Sequence, residues 1–142
     1  MPALIGHSGT ALSIFIVKLS LMPPEESMPV MNWRSNCPLS CALDVLGDKW
    51  SLLIVRDLFI HGSRTYSEFS ESPEKISTNI LAARLKLLTH LQLIKRVKPD
   101  SHRRGNAYEL TDSGRALEPL LMAYGKWASR NLNQFNPGMT RL

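Results

Sequence analysis

Seven basic residues lie between Arg84 and Arg104: Arg84, Lys86, Lys95, Arg96, Lys98, Arg103 and Arg104. They stand against one acid, Asp100. The 142-residue chain carries +5 in all, so its positive excess is concentrated in this stretch. A local cation cluster is what a polyanion would meet, and phosphate contacts dominate binding to nucleic acid. Just before and inside this stretch are side chains suited to base edges. Asn79 can pair with adenine, Ala82 or Ala83 can touch a thymine methyl, and Arg84 can take guanine or phosphate. Ser77, Thr78 and Lys86 complete that group. Further on, His102, Arg103, Arg104 and Asn106 would grip phosphates and so set orientation. The competing reading is a charged face that is merely solvated.

Other chemistry is sparse. His7, His61, His90 and His102 are scattered, and no Ser/His/Asp or Cys/His set stands at a readable spacing. No phosphate-binding loop occurs. Cys37 and Cys41 lack the further ligands of a zinc site, so catalysis, a metal and a cofactor are not expected. Two cysteines are also too few for a disulfide framework, which makes a reducing cytoplasm the default. Cys37 has a chemical reading of its own. At a helix N-terminus the exposed N–H groups and dipole favour thiolate. Its competing reading is a small buried packing residue.

The elements that would position these residues follow from capping and periodicity. Pro38 fits a first helical turn with Cys37 as N-cap, and Gly47 ends that helix. Asp48 can cap a second helix, about Lys49 to Ile60. Its apolar residues face nearly all directions, which predicts a central buried rod. His61-Gly62-Ser63 breaks it. Thr65-Tyr66-Ser67-Glu68 matches a capping box, opening a short helix to about Ser70. Thr65 is counted with the DNA-facing residues. A turn follows, and Ser77 can cap a longer helix to about Leu91. Leu81, Leu85 and Leu88, joined by Ile80 and Leu91, form its core stripe. Short helix, turn and longer amphipathic helix form a helix-turn-helix.

Beyond it the period changes. Leu93 to Lys98 alternates apolar and basic residues as a half-buried strand, and Ala107 to Leu110 returns as its partner around the loop Pro99 to Gly105. Thr111 caps a last helix from about Asp112, which Pro119 should kink. Leu117, Leu120, Leu121, Tyr124 and Trp127 recur along one side of it.

Cys37-Pro38, Ala42-Leu43-Asp44 and Leu46 to Leu58 (LGDKWSLLIVRDL) strongly resemble the opening of HxlR-type transcriptional regulators. The likeness continues in Ile76-Ser77, Leu81, Arg84-Leu85, Leu88, Leu93-Ile94, Tyr108, Leu110-Thr111 and Gly114, and covers about Cys37 to Leu132. The resemblance implies a mainly α fold with a small β-hairpin wing, a dimeric winged helix-turn-helix similar to MarR-type proteins, acting on double-stranded DNA as repressor or activator. Some such regulators use the Cys of their Cys-Pro opening to sense oxidants or electrophiles, which adds an effector to the expected partners. Two departures stand out. Gln92 occupies a place where the family usually has Gly, and His102-Arg103-Arg104-Gly105 replaces a Pro-rich wing. Both predict a locally altered turn and a more basic wing.

Dimerisation also has a physical ground, because the stripe from Leu117 to Trp127 would stay partly exposed in so small a domain. A partner copy covering it would put two recognition helices about 34 Å apart on an inverted repeat. The domain is expected over residues 32–135, with a short tail over 136–142. The N-terminal extension over 1–31 reads as disordered or weakly packed. Its apolar run Ala11 to Val17 is too short to span a membrane. An interaction module using the basic face on an acidic protein is the rival to DNA binding.

Overall fold

The computed structural model describes residues 30–140. The chain divides into two units, residues 1–32 and 33–142, and every element below belongs to the second. The extension's apolar run lies outside the described residues.

Helix α1 (Pro38–Leu46) begins as its sequence requires. Cys37 is the extended N-cap, Pro38 sits in the first turn, and the Gly47 N–H closes the end on the Leu43 carbonyl at 2.8 Å. Asp48 does cap α2 (Ser51–His61). Its carboxylate accepts from the N–H groups of Trp50 (2.9 Å) and Ser51 (3.0 Å) and from the Ser51 hydroxyl (2.6 Å). The helix begins at Ser51, two residues after the expected start, with Trp50 in the N-cap position. The expectation of a rod buried all round is corrected. Ile54, Val55 and Leu58 are buried, but Ile60 on another side is 66% exposed.

Strand β1 (Ser63–Thr65) follows directly, where the sequence had indicated only a break. Its three residues carry no alternation of their own. They form a strand because β3 (Ala107–Leu110) offers an open edge, pairing Ser63 with Glu109, Arg64 with Tyr108 and Thr65 with Ala107. Strand β2 (Ile94–Val97) pairs antiparallel on the other side, giving the order β1-β3-β2. Within β2 the expected strict alternation fails: Lys95 and Arg96 are both exposed, between buried Ile94 and half-buried Val97.

Two helices complete the reading unit, α3 (Tyr66–Phe69) and α4 (Thr78–His90). Leu81, Leu85 and Leu88 are buried, packing with Val55, Leu58, Phe69, Ile94 and Tyr108 in one core. Each such leucine contributes about 1.5–3 kcal/mol over an exposed one. Ile80, expected in the stripe, lies 100° around the helix from Leu81 and is exposed.

The end of α4 explains Gln92. The Leu93 N–H reaches the Leu88 carbonyl and the Gln92 N–H that of Thr89, each at 3.0 Å. This is the paired closure of a Schellman motif, whose C′ residue takes a left-handed conformation. Gln92 does so with φ 58°. Gln92 thus places a side chain where glycine would be least strained.

The expected single C-terminal helix is two. The Thr111 hydroxyl accepts the Gly114 N–H at 3.1 Å and opens α5 (Asp112–Arg115). The chain then restarts as α6 (Glu118–Asn131), with Pro119 in its first turn, where the missing N–H costs nothing. Gly114 is required by proximity: a Cβ there would lie 2.0 Å from the Leu93 carbonyl oxygen.

Candidate nucleic-acid interface

The attitude of α4 is held by polar groups that sequence reading did not anticipate. Asp57, on α2, is 5% exposed and accepts from both Arg56 (2.7 and 2.9 Å) and Arg64 (2.9 Å), and from the Ser72 hydroxyl. Arg56 also reaches Glu74 with two bonds, at 2.6 and 2.9 Å. Helix α2, strand β1 and the turn between α3 and α4 are thus joined through one cluster. The Arg56 hydrogen bonds outweigh burial and hold the Glu74 carboxyl below its usual value. Reciprocally, Glu74 first and Asp57 next raise the Arg56 pKa against burial. The Tyr66 hydroxyl donates to the Thr78 carbonyl at 2.6 Å, tying α3 to the first turn of α4. The only signals in the sequence were the acids and arginines themselves, at separations that no local spacing connects.

On the outer side of α4, Ser77, Thr78, Asn79, Ala82, Ala83 and Lys86 are all exposed. Asn79, Ala83 and Lys86 lie across the helix from the leucine stripe, with Ala82 beside them, while Ser77 and Thr78 are exposed at the helix start. Ser77 occupies the N-cap position, but its side chain makes no capping hydrogen bond. Arg84 is half-buried and pairs with Asp48 at 3.4 Å. Burial pushes the Asp48 carboxyl up; the Ser51 hydroxyl, the two N–H groups and Arg84 outweigh that and leave it below its ordinary value. Thr65 is corrected as a surface residue: it is 3% exposed, and its hydroxyl accepts the Glu68 N–H in the expected capping box.

On the wing, His102, Arg104 and Asn106 are exposed, and the loop passes Gly105 at φ 87°. Arg103 instead folds back. Its guanidinium meets Glu68, with Nε to Oε1 at 2.9 Å, and Ser63, with Nη1 to Oγ at 2.9 Å and Nη2 to the carbonyl at 3.1 Å. Arg103 first, then the Thr65 N–H, lowers the Glu68 pKa to about 2. Lys95 pairs with Glu109 at 3.1 Å, and Arg96 lies over the Tyr108 ring at 5.9 Å. Lys98 and Arg104 have no ion pair among the described residues.

Away from this face, Cys37 is exposed, which removes the buried-packing reading; Cys41 is half-buried, its Sγ 3.3 Å from the Ser35 carbonyl. Of the expected contact residues on α6 and just before it, Leu117 and Leu121 pack partly on their own core. Leu120, Tyr124 and Trp127 are exposed, the last two by 52% and 57%. Among the described residues there is no cluster of three His, Cys, Asp or Glu able to hold a metal, and no helix long and apolar enough to cross a membrane.

A short helix and a longer one joined by a turn, followed by a β-hairpin closing a three-stranded sheet, define a winged helix-turn-helix protein. The profile of the HxlR-like helix-turn-helix family matches residues 45–136. The HTH-type transcriptional regulator YvaP of Bacillus subtilis is 39% identical over 101 residues, which span 70% of this chain and 92% of YvaP. Among solved structures, PA1607 is 39% identical with a TM-score of 0.65 over 77% of this chain and 73% of its own. The reduced form of the transcriptional regulator YodB from B. subtilis is 31% identical with a TM-score of 0.56, covering 74% of this chain and all of its own; YodB has also been solved with a quinone bound. This chain belongs to the HxlR-like family of helix-turn-helix transcriptional regulators.

Proposed function

We propose that this regulator binds promoter DNA as a homodimer on an inverted repeat, with α4 in the major groove and the wing on flanking phosphates. The observation that carries the reading is the division of α4 into a buried leucine stripe and an exposed row of Thr78, Asn79, Ala82, Ala83 and Lys86. Thr and Asn can hydrogen-bond base edges, the alanines admit close approach to a thymine methyl, and Lys86 adds charge beside them. His102, Arg104 and Asn106 supply phosphate contacts from the wing. The homodimer is supported by α6, which has no buried residue and exposes Leu120, Tyr124 and Trp127. Selecting bound sequences from a random duplex pool tests the reading. A palindromic consensus is the expected result, whereas no enrichment over the input pool rejects it in favour of an acidic protein partner.

We further propose that Cys37 makes binding responsive to oxidants or electrophiles. It is exposed in the N-cap position of α1, open to a reagent from solvent, and the related YodB has been solved with a quinone bound. A bond to Cys41, one turn along the same helix, would strain α1, so a mixed or inter-subunit adduct is favoured. DNA affinity measured before and after mild oxidation, in wild type and Cys37→Ser, decides the point: affinity unchanged by oxidation in the wild type rejects it.

A further inference from the structure

We infer that Arg103 is a positioning residue of the wing, a latch between its tip and the helix-turn-helix, and that the wing's phosphate contacts are made without it. The inference deepens the DNA-binding reading and rests on it.

Arg103 lies in the loop between β2 and β3, yet its three guanidinium nitrogens all point inward. Nε and Nη2 form a forked pair with the two carboxylate oxygens of Glu68, while Nη1 and Nη2 take the hydroxyl and carbonyl of Ser63. These partners are 35 and 40 residues away in sequence, on α3 and β1. Glu68 serves twice, since the same carboxylate accepts the Thr65 N–H at 2.7 Å within the capping box. The wing tip is thereby fastened to the N-terminus of the helix that precedes the recognition helix. A forked guanidinium–carboxylate pair constrains both distance and plane, which a lysine ammonium cannot reproduce.

Charge favours the same role for Arg103. It faces a carboxylate of opposite sign and has four of its five N–H donors engaged, so turning to a phosphate would break those four hydrogen bonds. Its neighbour Arg104 is exposed and has no ion pair among the described residues. Adjacent arginines thus divide the work, one holding the wing and one meeting the polyanion.

The test separates a latch from a phosphate contact by salt dependence, because each phosphate left unneutralised lowers the slope of log K against log salt by about 0.9. Arg104→Gln should lower the slope by about that amount. Arg103→Gln should weaken binding to a selected duplex roughly tenfold with the slope unchanged, and Arg103→Lys should fail to restore it. In the DNA-free protein, amide exchange at residues 101–106 should quicken in both Arg103→Gln and Glu68→Gln. Glutamine still satisfies the capping box, so Glu68→Gln isolates the ion pair. The latch is overturned if Arg103→Gln flattens the slope while Arg103→Lys recovers it, or if exchange is unchanged in both latch variants. Should the wild type prefer no duplex, the DNA-binding reading fails on that result, and the latch is then decided by exchange.

Discussion

The face that carries α4 and the wing and the face formed by α6 are built on opposite principles. Around α4, charged groups are partnered inside the subunit: Asp57 with Arg56, Arg64 and Ser72, Glu74 with Arg56, and Glu68 with Arg103. No buried side-chain nitrogen or oxygen among the described residues is left without a hydrogen bond. Along α6 nothing is buried, and Leu120, Met122, Tyr124 and Trp127 are exposed, as are Leu132 and Phe135 beyond its end. A rigid polar frame suits a surface that must hold one geometry against a patterned duplex. An uncovered apolar stripe suits a surface completed by another molecule.

The contrast can be broken or sharpened by substitution. The largest effect is expected from Asp57→Ala, which strands Arg64 and frees the turn before α4. Breaking a pair this buried should cost about 3–5 kcal/mol, read by urea denaturation; a loss below about 1 kcal/mol would show that the polar frame does not hold the domain. Gln92→Gly should act in the other direction. Removing a side chain from a left-handed residue should stabilise by about 1 kcal/mol, seen as a higher Tm.

On the apolar side, Trp127→Glu should change the stability of the isolated subunit by no more than about 0.5 kcal/mol. It should nonetheless abolish self-association in sedimentation velocity. A variant that sediments like the wild type would place the dimer contact elsewhere.

The smallest effect concerns acid. Glu68 has a folded-state pKa lowered to about 2 from 4.5, chiefly by Arg103. Its contribution is therefore present above about pH 4.5 and is lost as pH falls towards 2. The Tm difference between wild type and Glu68→Gln should be constant above about pH 5 and shrink below it. A difference that grows on acidification would contradict the pairing.

Much of this was legible beforehand because it depends on neighbours in the chain. The capping box at Thr65, the carboxylate cap at Asp48, Pro38 in a first turn and the leucine stripe of α4 are contacts within about four residues, and periodicity exposes them. Three features were not legible for one shared reason. Strand β1 needs the edge of β3, far along the chain. The Asp57 cluster joins residues 15 to 18 apart in its longest links. Arg103 meets partners across the whole helix-turn-helix. Pro119 shows a milder failure, in which a residue able to kink a helix instead starts a new one.

The amino-acid sequence by itself settled the helix-turn-helix and the hairpin that follows it, and the leucines of α4 that face the core. These follow from capping and apolar period, which act over a single turn. Tertiary structure alone decided which basic residues stay open to a partner and which are engaged internally. A side chain's charge is written in its type, but its partner is set by packing that brings distant segments within about 3 Å.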